Sequence, residues 1–422
     1  IPLVWPGGAF NNNGVTLGGD FNGSPDFGVT DFPEWDNQPQ NVQPGEGEPS
    51  GQIDLFASDF KVPRILKANL AYDQNLGDGF IFNAEFLFNK TLQNVAYQNL
   101  NLKQANTATT GTGEVRPIFD RRDEVDDTYS RILLATNTPL GYTYNLSASI
   151  SKAFSNGFYG TVAYSFGDAF SVFDGTSSQN SSQWRGLFSV GGRNFDQRAY
   201  RSDFSQGHRI IGGVSYGLDW NKNKNARTTI SIFYEGVSGQ PYTLVVADGQ
   251  DIQQEDSRNR TLFYVPLSEN DINFVGSVEE QAAQWNALNT FINNDDYLSA
   301  NRGKFVERNH SRAPFSGVMD LRIMQDFTLR ANGKAHTLQL TADIFNFTNL
   351  INSAWGRRYF LPSFGFGLTE FEGFTEDPTT GANTVPTYSF ETPEDFPFGD
   401  IDDSGIQSSR WQAQLGVRYL FK

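Results

Sequence analysis

Three kinds of residue in this chain are able to do chemistry, and their spacing decides what that chemistry would be. Gly213-Val214-Ser215-Tyr216-Gly217 has the G-x-S-x-G spacing that, in hydrolases, lifts a serine nucleophile onto a sharp strand-to-helix turn. Here it lies inside a run of alternating apolar and polar residues. Ser215 falls on the polar side and no helical pattern follows, so the match reads as strand. His208, His310 and His336 are far apart and none has metal-ligand spacing. Asp20-Phe21-Asn22-Gly23-Ser24-Pro25-Asp26 and Asp248-Gly249-Gln250-Asp251 resemble calcium loops only in being acidic; neither has the spacing and terminal bidentate Glu of an EF-hand. No Gly-rich phosphate loop precedes a helix. With no Cys, disulfides, zinc–thiolate sites and thiol nucleophiles are excluded. The chain is expected not to be an enzyme. It offers no catalytic, cofactor-binding or metal-binding residue, and its ligand-binding residues are not legible.

The elements around these residues are more informative. Four short turns rich in Gly or Asn, at 76–79, 155–157, 221–225 and 331–334, suit the positive φ angles of tight hairpins. Alternating runs flank each one. Leu66, Ala68, Leu70 and Tyr72 precede the first turn, and Phe80, Phe82, Ala84, Phe86 and Phe88 follow it. The second turn lies between Tyr142–Ile150 and Phe158–Phe166, the third between Ile210–Trp220 and Thr228–Tyr234. The fourth lies between Phe315–Leu329 and Leu338–Ile344, and a last run, Trp411–Phe421, ends the chain. Period-two alternation gives a sheet with one apolar and one polar face. Its nine segments are long enough for the roughly 9–11 residues that a tilted strand needs to cross a bilayer. Tyr and Trp near the segment ends fit an interfacial girdle.

The connections alternate between these short turns and stretches of dozens of residues, at about 93–140, 171–206, 239–313 and 350–408. Outer-membrane barrels have short periplasmic turns and long extracellular loops. The pattern therefore predicts an all-β protein, a transmembrane antiparallel up-and-down β-barrel whose polar face is the lumen wall. The alternative is a large soluble β-sandwich or propeller, whose apolar face would be its core. Nine strands are an odd and open set, so the chain is expected to be the C-terminal portion of a larger barrel, with the other strands upstream or on another chain. At Ile1 there is no initiator Met, no basic n-region and no apolar h-region, so the chain is expected to be a processed product or a fragment.

Charge follows the same division. The net charge is −16. Residues 1–60 hold nine acids and no Lys or Arg, and residues 350–408 hold ten acids against two Arg, which accounts for all of it. The acidity thus belongs to loops, and its sign disfavours nucleic acid and anionic lipid as partners. Residues 1–60 are read as an acidic extracellular loop region, with a Pro- and Gly-rich stretch at 38–51, and 61–422 as one barrel domain. Within 239–313, Ser277-Val278-Glu279-Glu280 reads as a capping box opening a helix through Ala282, Trp285, Leu288 and Phe291/Ile292, stopped by Gly303 at the latest.

Several stretches resemble the C-terminal barrel region of TonB-dependent receptors of Gram-negative Bacteroidota, particularly the Oar-like group. They include Asp59–Leu66, Leu70–Asp73, Glu85, Tyr97–Leu102, Phe263–Pro266 and Tyr297–Lys304. The match is densest at Glu307–Asn309, Ala313–Phe315, Asp320–Arg322, Gln325–Phe327 and Asp343–Asn349, and Gln414–Phe421 resembles the closing strand, here followed by Lys422. The resemblance implies a multi-pass protein of the cell outer membrane, a 22-stranded barrel with a plugged lumen. It implies outer-membrane lipid, a plug domain and the TonB energy-coupling complex as partners, and energised passage of an extracellular ligand. Neither plug nor TonB box is in this sequence. A second function remains open: a surface platform, adhesin-like, whose acidic loops bind a partner protein or glycan.

Overall fold

A computed structural model describes residues 11–12, 15–16, 51–120, 123–247, 251–256, 260–331, 333–360, 365–393, 400–401 and 409–421. The acidic stretch 1–50, the calcium-like Asp20–Asp26, residues 248–250 of the second such loop, Asn332 and Lys422 lie almost entirely outside them. In chain order the first strands are β1 (Gly51–Phe56), β2 (Arg64–Gly77), β3 (Phe80–Asn99), β4 (Tyr129–Thr138) and β5 (Tyr142–Ala153). Next come β6 (Phe158–Ser171), β7 (Gly207–Asp219), β8 (Ala226–Val237), β9 (Leu244–Ala247) and β10 (Asn273–Phe274). The last are β11 (Ser316–Ala331), β12 (Lys334–Phe345), β13 (Phe366–Glu376), β14 (Asn383–Ser389) and β15 (Gln412–Phe421). Four helices are used below: α1 (Asn180–Arg185), α2 (Val278–Asn293), α3 (Asp296–Ala300) and α4 (Phe347–Ile351).

All nine alternating runs are strands. They pair antiparallel in the order β2-β3-β5-β6-β7-β8-β11-β12-β15, each beside its neighbour in sequence. Tight turns explain four of the eight pairings, because a two- to six-residue connection leaves a strand no choice but its predecessor's flank. In the first turn Gly77, Asp78 and Gly79 all have positive φ. In the second, Gly157 has φ +86, and a Cβ there would lie 2.7 Å from the Gly217 carbonyl oxygen on the adjoining strand. Among the described residues the outer edges of β2 and β15 have no partner, so the sheet is open.

Register keeps the faces separate. The row Phe158–Tyr216–Ile230–Ile323–Ala342–Leu415 crosses six strands on one side, while Tyr159–Ser215–Ser231–Arg322–Asp343–Gln414 crosses the same six on the other. Among the described residues nothing covers the apolar face: Ile230 is 45% exposed and Leu415 84%. Near the strand ends it carries aromatic and amphipathic groups. Tyr142 stacks on Phe170 at 4.7 Å at the long-connection end. At the turn end Lys152 Nζ sits 3.9 Å from the centroid of Phe80, and the Trp220 indole donates to Thr228 Oγ1. An uncovered apolar band with such rims is built for a bilayer. No helix of the described residues is long and apolar enough to cross a membrane, which bears only on helices.

The first long connection is shorter than its sequence suggests. β3 reaches Asn99, and its upper part pairs with β4 in the same register that its lower part keeps with β5 (Lys90 opposite Tyr142, Asn94 opposite Thr138). β4 and β5 are thus one strand line interrupted at Pro139-Leu140-Gly141, where Pro lacks an N–H and Gly141 has φ +127. β1 adds to β4 in parallel, so residues 51–56 of the acidic N-terminal region are strand.

The remaining connections fold together at the same end of the sheet. A mixed four-stranded sheet, β9-β13-β14-β10, packs with α2 and α3 around Leu244, Phe263, Leu288, Ile292, Leu298 and Tyr388. A smaller core gathers Leu102, Phe119, Leu133, Val172, Trp184 and Leu187. The expected helix is α2, with both capping-box hydrogen bonds between Ser277 and Glu280. It ends at Asn293, ten residues before Gly303, and α3 follows with Asp295 as its N-cap. The connections read as loops are a packed body.

Candidate functional site: the polar wall and the body at its mouth

The polar face of the sheet carries charges on most strands, and six of them are paired across adjoining strands. Arg322 Nε lies 2.6 Å from Asp343 Oδ1 on the adjoining strand. Arg209 Nη2 lies 2.6 Å from Glu235 Oε1, and Arg358, from beyond β12, reaches the other oxygen of Glu235 at 3.0 Å. Asp219 meets Arg227 at 3.5 Å, and Gln339 donates to Asp326. Ser, Thr, Asn and Gly fill many of the places between, with a few apolar side chains such as Leu87, Ile211 and Phe233 among them. Cross-strand pairing neutralises part of the charge on a wall that still offers donors and acceptors along its height. Ser215 sits in this wall opposite Tyr159 and Ser231, in regular strand and without the elbow turn.

The three histidines are dispersed. His208 and His336 are on the apolar face, bonded to Tyr164 and Tyr419 through Nδ1. His310 is in the body. Among the described residues no three metal-ligating side chains come together.

Where β6 leaves the sheet, a network ties the body to it. Asp168 of β6 accepts from Arg201 Nε at 3.0 Å and from the Ser205 hydroxyl, with Arg312 at 3.8 Å. Arg201 donates to the Asn309 carbonyl, and Asn309 Nδ2 returns to Arg201 O at 2.8 Å and to Asp203 at 2.7 Å. Arg308 bridges Asp203 and Asp174. Burial alone would raise the Asp174 carboxyl, but Arg308 and the donors around it hold it below the usual range. Two connections are clamped to one strand end by groups that sequence spacing does not connect. The one visible signal was the clustering of Arg and Asp at 201–203 and 308–312.

Deeper in the body, Glu255 and Arg193 are 0% and 2% exposed and paired at 2.6 Å. Glu114 and Arg116 form a second buried pair, and Tyr388 donates its hydroxyl to Glu114. A hollow of about 640 Å³ opens beside α2, with Asn286, Thr290 and Asn294 at helical spacing and Phe291, Tyr242 and Asp295 also lining it. That volume falls in the range of small-ligand sites.

His310 gives the body a pH dependence. Its ring stacks on Tyr297 at 4.3 Å, meets Tyr242 edge-on, and holds Glu307 O at 3.0 Å through Nδ1. Burial pushes its pKa down to about 4, against the pull of the Glu307 carbonyl. Between pH 6.5 and 4 the unfolded segment binds a proton that the folded one refuses, so stability is full above 6.5 and is lost as pH falls, at up to about 1.4 kcal/mol per pH unit. Hydrogen exchange of peptides spanning 297–312 should be faster at pH 5 than at pH 7 after correction for intrinsic rates. His310→Gln should flatten that difference; an equal pH response in the variant would assign it to another group.

The chain matches the sequence model of the outer membrane beta barrel domain over residues 6–365, a span that holds eight of the nine wall strands. Among solved structures it is similar to the outer membrane transporter YddB from Escherichia coli, with 10% identity and a TM-score of 0.36, covering 82% of this chain and 34% of that one. The chain therefore spans about a third of the length of that transporter. No curated protein matches it. An uncovered apolar face, a paired polar face, short turns at one end and this family match agree on where the protein resides. The chain belongs to the outer membrane beta barrel domain family and is a multi-pass protein of the outer membrane.

Proposed function

We propose that the chain is part of the wall and mouth of an outer-membrane transporter that binds an extracellular ligand and passes it through the lumen with energy from TonB. The observation that carries the reading is the pairing of charge on the polar wall beneath a folded body. A merely structural barrel has no need of donors and acceptors spread along its interior, and a passive pore has no need of a packed body at its mouth. The hollow beside α2 is the candidate first contact for the ligand. The energised step and the plug rest on the resemblance to TonB-dependent receptors of the Oar-like group. Of the acidic stretches behind the platform reading, 1–50 lies almost entirely outside the described residues, while 365–393 is packed into the body.

The test uses the full-length gene. Cells carrying it should deplete at least one solute from a mixed peptide, glycan and iron-chelate medium faster than cells lacking it, and should lose that advantage when TonB is deleted. Equal depletion by all three strains would contradict transport. An advantage that survives loss of TonB would contradict only the energised step.

A further inference from the structure

After β12 the chain turns back over the polar wall instead of leaving it. Asn346 adopts a left-handed conformation (φ +49), and its N–H bonds Asp320 Oδ1 at 2.8 Å. Its side-chain amide then holds the Gly356 carbonyl at 2.9 Å, closing the segment on itself. Gly356 has to be glycine here, because a Cβ would lie 2.0 Å from Asn346 Oδ1. Between them α4 and the following turn are stapled by Asn349, which donates to Ser353 O and Trp355 O. At the far end Ser316 donates to the Arg357 carbonyl at 2.8 Å, and Arg358 clasps Glu235, itself held by Arg209.

Asp320, Ser316 and Glu235 share the polar face of the sheet. The segment Asn346–Arg358 therefore lies across the inside of β12, β11 and β8, near the long-connection end. A segment so placed takes space from the lumen, and only its Arg358 end is held by a charge pair on a strand two places away.

We propose that Asn346–Arg358 is a strap that narrows the lumen mouth and sets the size of solute admitted, with the Arg358–Glu235 pair as its clasp. The inference rests on the polar face being the water-filled wall of the transporter proposed above. It names Arg358 and Glu235 as positioning residues for that passage.

The chain lacks Cys, so a Ser231→Cys reporter on the wall is unique within it. Cells displaying the full-length protein would be treated from outside with a small methanethiosulfonate reagent or a long polyethylene-glycol maleimide. The reading is the ratio of large- to small-reagent labelling, which cancels changes in thiol reactivity. Arg358→Ala, and a strap shortened by replacing 349–355 with two glycines, should raise the ratio several-fold. Asp219→Asn, which breaks a wall pair at the turn end, should leave it unchanged. Heat-modifiable migration on gels selects folded protein in every case. If the small reagent labels but the ratio is the same in all variants, the strap is not the constriction, while the lumen reading stands. If neither reagent labels any folded variant, the polar face is not water-filled, and both fall.

Discussion

Ile230→Arg is expected to destabilise the folded protein in phospholipid vesicles by about 2–4 kcal/mol, the cost of a cation near the middle of a lipid-facing barrel surface. Ile230 sits at the centre of β8 with Tyr216 and Ile323 beside it on the same face, and nothing among the described residues covers it. In a bilayer the arginine must either desolvate or stretch toward the interface. Thr229→Arg, one residue earlier, projects from the polar face between Gly217 and Met324 and should change stability by no more than about 0.5 kcal/mol. Equilibrium denaturant unfolding from vesicles measures both. Equal costs would mean that the two faces meet the same medium.

Glu255→Ala should cost the body about 3–5 kcal/mol, because it leaves the Arg193 guanidinium buried without its counter-charge. Glu255 accepts from both the Arg193 side chain and its backbone N–H, so the loss also frees a buried amide. The exposed pair Lys103–Asp123, whose side chains are 47% and 60% accessible, provides the contrast: Asp123→Ala should cost about 0–1 kcal/mol. Hydrogen exchange across 184–195 and 251–256 would locate the loss in the body, while heat-modifiable migration should show the sheet intact. If exchange in these peptides is unaffected, the connections do not form the packed unit described here.

These two sites also mark the boundary of what the sequence made legible. Ile230 could be placed on its face from alternation alone, because a strand covered by lipid on one side and water on the other must repeat every second residue. The hairpin turns were legible for a similar reason, since their positive φ angles select Gly and Asn locally. So was α2, whose capping box joins residues three apart. Glu255 could not be found this way. Its partner is 62 residues distant, and Tyr388 lies 274 residues from Glu114. Nothing periodic connects such residues, so the connections looked like loops. β4 was missed because its upper residues pack into the body: Leu133 and Ala135 are buried there, and the Ile132-Leu133-Leu134 run loses its alternation. The strap is not legible in the sequence because it depends on one left-handed residue, Asn346, after a strand that reads as simply ending.

The central claim is that one face of this sheet meets lipid and the other meets water. A spin-label scan along β8, one cysteine at a time from Ala226 to Val237 in vesicle-reconstituted full-length protein, tests it most directly. Thr228, Ile230, Ile232 and Tyr234 should be relaxed by oxygen dissolved in the bilayer, and Arg227, Thr229, Ser231 and Glu235 by a water-soluble nickel chelate, with a period of two. Collision with the nickel chelate at every position, or with neither reagent on the apolar face, would contradict the membrane wall.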